Sequence, residues 1–381
     1  MMRIRFSSCV AVLWLFASVA PIVSAADSQL DALLAKLRAV GGNGAGHREA
    51  TRAWSELARA DAAQLPEILA GLDGAGPLAA NWIRTAVDAI AERQLQHGRP
   101  LPAAELERFV LDKRRDPRAR RLAYEWLLRV DPGAQDRLIP GMLDDPGWEF
   151  RRDAVARLID QAGRHAQAKR TAEAIAAYQQ ALGAARERDQ IDLTAQRLRS
   201  LGQKVDLVRQ LGYVVRWKLI GPFADVGGKG FDAVYPPEKE VRFDAQYQGK
   251  KGKVGWKDSV CTDDYGTVDL NKGLEEVKEA AGYAAAEFLS DREREVELRI
   301  TSDNAVRLWL NGMPVASYKI YHGGTQPDQY VDRALLRRGR NVILVKVCQN
   351  EITPDWARAW DFHLRVVDPA GSPVLSADGK R

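Results

Sequence analysis

The sequence has little of what usually marks a metal or redox site. Its 381 residues include only three Cys, five His and four Met. His47, His97, His165, His322 and His363 are scattered, with no His-Glu-x-x-His and no Cys-x-x-Cys. That excludes the common zinc and thiol-redox spacings. The Gly-rich GGKGF at 227–231 lacks the first Gly and the Ser/Thr of a phosphate loop. GGNGAG at 41–46 follows a helical pattern and not a strand, so it is no dinucleotide loop. No Gly-x-Ser-x-Gly elbow is present, and no spacing pairs two carboxylates for acid–base work. No catalytic constellation emerges, and the reading is a non-enzyme with no metal site. Asp263-Asp264 is a place for Ca²⁺, but an oxygen cage takes about six to eight ligands and no EF-type loop surrounds it.

A strong charge of one sign is also missing. The formal charge is +5, and beyond Tyr213 acids and bases balance. The excess is spread among acids in the N-terminal half, so no basic face for nucleic acid is expected. The single long apolar run lies at the start. In MMRIRFSSCVAVLWLFASVAPIVSAADS, Arg3 and Arg5 precede an apolar stretch, and Val23-Ser24-Ala25 reads as a cleavage site. Residues 1–25 are therefore expected to be a signal peptide, which implies export to the periplasm or beyond. Once it is removed, no stable membrane anchor is expected. Cys9 leaves with the leader. Cys261 and Cys348 remain, either as one disulfide or as two buried thiols.

From 29 to 211, apolar residues recur every three or four positions, as in LDALLAKLRAV and RRDAVARLIDQAG. This predicts α-helices. Breaks fall at Gly41–Gly46, Gly71–Pro77, Gly98–Pro102, Asp116-Pro117, Asp131–Gly133 and Asp145–Gly147. Several segments share one plan: an apolar helix, a Pro/Gly turn, then an Arg-containing helix with Ala86, Ala123 or Ala154 at the close contact. Trp54, Trp82, Trp126 and Trp148 sit beside other apolar residues and are expected in the core. The DKRRDPRARR run at 112–121 reads as a solvated, ion-paired turn.

At Tyr213 the pattern changes to short segments of period two, joined by turns, which predicts an all-β sandwich. Asn311-Gly312 marks a tight hairpin. In AVRLWL, Val306, Leu308 and Leu310 share one face and Trp309 lies on the other. Trp309 is expected to pack under a crossing loop rather than to serve as a ligand platform. The boundaries so read are helices at 29–211, a sandwich at 213–369 and a flexible tail at 370–381, with the two halves folding separately.

The paired helices resemble HEAT repeats, with a tetratricopeptide-like pair near 171–202. WKLIGPF, GKGFDAVYPPE, DDYGTVDL, SDNAVRLWLNG, LRRGRNVILVKVCQN and WDFHLRV, in that order, resemble the galactose-binding-like jelly-roll domain of secreted bacterial proteins. That domain is similar to the sugar-binding sandwich of the β-galactosidase family. The resemblance implies a helical-repeat scaffold carrying a jelly-roll.

Candidate ligand residues lie in three loops between the predicted strands. CTDDYG offers Asp263, Asp264 and Tyr265. YHGGTQPDQY offers Tyr321 and His322, and QNEITPDWARAW offers Asn350 and Trp356. Sugars need aromatic faces together with carboxylates or amides, and each loop has that chemistry. The alternative is that these residues cap turns. The expected function is an exported, non-catalytic protein that binds carbohydrate or another exported protein. A pure assembly scaffold is the second reading, and an accessory or hydrolytic enzyme of polysaccharide breakdown the third.

Overall fold

The structure, a computed structural model, describes residues 25–379. The proposed cleavage region and Cys9 lie outside them, apart from Ala25, which opens the first helix. Two compact units divide at Gln135/Asp136. No helix among the described residues is long and apolar enough to cross a membrane.

The first unit is helical: α1 (Ala25–Arg38), α2 (His47–Leu57), α3 (Leu65–Ala70), α4 (Pro77–Gln96), α5 (Ala103–Leu111) and α6 (Pro117–Val130). The breaks read from sequence fall between these helices. Pro77 and Pro117 each stand at a helix start, where a missing N–H costs nothing. Leu37, Leu57, Ile68, Ile83, Ile90, Val110 and Leu127 are fully buried. Neighbouring turns are fastened to one another. Asp73 accepts from the Asp116 N–H at 2.8 Å and from Arg115 at 2.9 Å. The 112–121 run carries ion pairs as expected, but it is not solvated throughout: Arg120 is fully buried and donates to the Val110 carbonyl.

A short helix, α7 (Ala134–Leu138), spans the division. The second unit continues with α8 (Trp148–Gln167), α9 (Thr171–Ala184), α10 (Arg188–Ser200) and α11 (Leu207–Leu211). Trp126 is buried, but Trp148 is 55% exposed at the start of α8, contrary to its expected core position. A first helical residue has no preceding turn to pack beneath, so periodicity overstates its burial.

The β region then begins. One antiparallel sheet has six strands in the order β4 (Lys257–Val260), β1 (Arg216–Ala224), β6 (Ala280–Ser290), β11 (Gly339–Gln349), β8 (Ala305–Leu310) and β9 (Met313–Tyr318). The other has β10 (Tyr330–Leu336), β7 (Arg294–Thr301), β12 (Asp361–Val367) and β5 (Val268–Asp269). A small ribbon, β2 (Gln246–Gln248) with β3 (Lys253–Gly255), and the one-turn helices α12 (Pro236–Lys239) and α13 (Leu270–Gly273) complete it. Trp217, Leu308 and Val345 from the first sheet share a core with Leu298, Phe362 and Leu364 from the second. The chain is thus helical first and antiparallel β afterwards, with two sheets face to face.

The central strands of the six-stranded sheet, β1, β6, β11 and β8, are largely buried on both faces. The sheet's outer face carries Ala281, Tyr283, Ala305, Trp309, Leu344 and Cys348. These pack under the 225–256 excursion through Phe231, Tyr235, Phe243 and Trp256. Trp309 is 5% exposed there, on the face opposite Val306, Leu308 and Leu310. Asn311 and Gly312 both have positive φ, as a type I′ turn requires.

The helices α8–α11 share a core with the start of the β region. Val155, Ala181, Ile191, Leu207 and Leu211 cluster with Tyr213 and Val215. Gly212, at φ +82, makes the turn between them, and a Cβ there would meet the Val366 carbonyl at 2.7 Å. The segment read as a flexible tail is tied down as far as Ala377. Val374 is 4% exposed in the sandwich core, and the Ala377 N–H donates to the Leu289 carbonyl at 2.8 Å.

Candidate functional site

The seven candidate residues separate into two groups. Asp263 spends its carboxylate on its own turn, accepting from the N–H groups of Tyr265 and Thr267, both at 2.9 Å. Asp264 forms a bidentate pair with Arg199 of α10, at 2.7 and 2.8 Å. The Tyr265 ring lies under the Arg188 guanidinium, 4.1 Å from its centre. This loop therefore docks onto α10, and its acids are held below the usual carboxylate range. For Asp264 the hydrogen bond to Arg199 does this. For Asp263 the hydrogen bonds from Tyr265 and Thr267 outweigh an opposing effect of burial.

Tyr321 is also structural. Its hydroxyl donates to fully buried Asp225 at 3.0 Å, and burial pushes that phenol up.

His322, Asn350 and Trp356 come together. The His322 and Trp356 rings meet edge to face, 4.9 Å apart at 75°. His322 Nε2 lies 3.2 Å from Asn350 Oδ1, and Nδ1 lies 3.4 Å from Asp303 Oδ2. Asn350 Oδ1 also accepts from the Ile352 N–H at 3.2 Å, which fixes the orientation of the amide. Both ring nitrogens of His322 thus face acceptors.

The backbone here is unusual. His322 has φ +57, a conformation uncommon for a residue with a side chain. Asp303 holds it, accepting from the His322 N–H through its carbonyl at 2.6 Å and from the Gly324 N–H through Oδ1 at 2.9 Å. Asp303 carries no distinguishing signal in the sequence. It stands in SDN before β8 and looks like an ordinary turn acid.

The loop that carries Trp356 is held from below. Lys278 donates to the Ala357 carbonyl at 2.6 Å, Asn271 to Arg358 at 2.9 Å and Asn304 to Ala359 at 2.8 Å. Gln349, itself buried, donates to Arg358 at 3.2 Å. Ala357 is fully buried as the plug of this loop, while its neighbour Trp356 is 66% exposed. The outcome is an aromatic surface at Trp356 against His322, whose ring in turn meets the Asp303 carboxylate and the Asn350 amide, an amide whose Nδ2 has no partner among the described residues.

Cys261 and Cys348 are free thiols, so the bridge considered from sequence is not formed. Cys348 points to the outer face of the six-stranded sheet, and Cys261 packs against the α10–α11 side. Burial pushes Cys261 up to about 12 and raises Cys348 as well. Among the described residues, no cluster of three or more His, Cys, Asp or Glu is arranged to hold a metal ion.

No family model matches the chain, and a search of curated proteins returned no match. Among solved structures, a β-glucosidase from Kluyveromyces marxianus in complex with glucose is similar over 40% of this chain and 16% of that one, at 11% identity and a TM-score of 0.25. A selenomethionine-labelled β-glucosidase from the same organism is similar over 45% and 21%, at 8% identity and a TM-score of 0.26. The chain therefore spans less than a quarter of either enzyme. These likenesses are too distant to carry a statement about function.

Proposed function

We propose that this is an exported, non-catalytic carbohydrate-binding protein whose jelly-roll-like β region holds the sugar at Trp356. The helical-repeat part serves as its scaffold. The observation that supports this reading is a large aromatic ring held open to solvent on a rigid loop. Burying an indole is favourable, and a chain that leaves one 66% exposed, while four side-chain hydrogen bonds hold the three residues that follow it, keeps it available for a partner. Trp356 would meet the C–H face of a pyranose. Asn350 Nδ2 would donate to a ring hydroxyl and Asp303 would accept from another. A screen of the full chain on a glycan array tests this. Selective retention of one glycan class, lost in Trp356→Ala, is expected. Uniform silence on the array favours an assembly scaffold acting through protein contacts.

A further inference from the structure

The ladder between β1 and β6 stops before either strand does. It begins at Lys218↔Ala285. Below that point Arg216 and Trp217 still pair with β4, and Glu287 and Phe288 still pair with β11. The two strands diverge inside the sheet, and a cleft of about 560 Å³ opens between them. That is within the size of small-molecule sites, about 300–1,000 Å³.

Its depth and mouth differ chemically. Trp217, Phe288 and Val374 line the inner end and belong to the core between the sheets. The outer end carries charges. There Asp258 is paired with Lys218 at 2.5 Å, and Glu287 is paired with Arg340. Arg209 and Arg216 line the same cleft, exposed and with no ion pair among the described residues.

The backbone adds polar groups. The Val215 carbonyl accepts from Cys261 on the β4 side. Because strand residues alternate, the N–H and C=O of Arg216 face β6, where the ladder has ended. The tail reaches the same edge one pair further along, where the Leu289 N–H donates to Ser376 Oγ at 3.0 Å.

We propose that this cleft is a binding site for a small amphipathic anion, whose apolar body enters between β1 and β6 while its charge meets Arg209 and Arg216. The site is separate from the Trp356 surface and does not depend on it.

The test uses two probes with one ring system. 8-Anilinonaphthalene-1-sulfonate carries a negative charge, and N-phenyl-1-naphthylamine does not. Fluorescence titration of the full chain should show saturable one-to-one binding of both, with the sulfonate about tenfold tighter. In an Arg209→Ala/Arg216→Ala double variant the sulfonate should fall to the affinity of the neutral probe, which itself stays unchanged. Val260→Trp, at an exposed position of the cleft wall, should weaken both, while Trp356→Ala leaves both alone. Non-saturating binding, or sulfonate affinity unmoved in the double variant with thermal unfolding as in the wild type, overturns the proposal. Loss of sulfonate binding in Trp356→Ala overturns it as well.

Discussion

His322 and Trp356 meet edge to face with their ring centres 4.9 Å apart, although 34 positions separate them in sequence. Neither loop makes this contact alone. The His322 loop is set by Asp303 and the Trp356 loop by Lys278, Gln349, Asn304 and Asn271. Losing either support should disorder the surface without unfolding the sheets. Asp303→Ala should leave the cooperative unfolding transition in place and weaken ligand binding, as read by calorimetric titration with the glycan that binds the wild type. Unchanged affinity would show that neither the placement of His322 nor the sugar contact needs the Asp303 carboxylate.

The outer face of the six-stranded sheet contains a buried ion pair. Lys346, fully buried, donates to Glu238 at 2.8 Å and to the Phe231 and Ala233 carbonyls at 3.0 and 2.7 Å. Replacing Lys346 by Met leaves Glu238 buried without its cation, which should cost about 3–5 kcal/mol in urea unfolding. Adding Glu238→Gln should recover a large part of that loss. A single variant within about 0.5 kcal/mol of the wild type would mean that water reaches the pair.

Where the cooperative unit begins is testable by truncation. Tyr213 and Val215 are covered by residues from α8–α11, so a fragment of residues 213–381 would expose that apolar face. Residues 136–381 should unfold in one transition. Residues 213–381 should have a clearly lower urea midpoint or aggregate. Equal midpoints would show that the sandwich is stable without the helices.

Asp361 gives stability a pH dependence. Burial, and then the charges of Asp269, Asp303 and Asp263, push its carboxyl up to about 6. Unfolded, it titrates near about 3.9. The folded state thus binds the proton more tightly, so this contribution favours folding at low pH and is lost as pH rises through about 6. Asp361→Asn should raise Tm at about pH 7.5 and change it little at about pH 4. An equal change at both would remove Asp361 as the cause.

The period of the apolar residues was enough to read the helix breaks and the change to strands at Tyr213. It also placed Trp309 on the face opposite Val306 and Leu308, because alternation in a strand is fixed by backbone geometry. The docking of α8–α11 against Tyr213 and Val215 was not legible. It depends on which apolar faces meet, and local period carries no such information. The same limit divided the candidate loops. CTDDYG and QNEITPDWARAW have similar chemistry, but the partner that occupies Asp264 is Arg199, 65 positions away. Asp303 gave no signal beyond a turn composition, since its role comes from a loop that returns to it from His322. Tyr321 and His322 are adjacent in sequence and point to different layers.

On the proposed reading Trp356 meets the ligand, while Trp309 lies in the core. The most direct measurement pairs thermal unfolding with calorimetric titration of both Ala variants, using the glycan retained on the array. Trp309→Ala should lose about 3–5 kcal/mol of stability, because it empties a buried site. Trp356→Ala should keep the wild-type Tm and bind about tenfold more weakly. If Trp356→Ala binds as the wild type does, while Trp309→Ala folds normally and fails to bind, the ligand surface is at Trp309 and the assignment of the two rings is reversed.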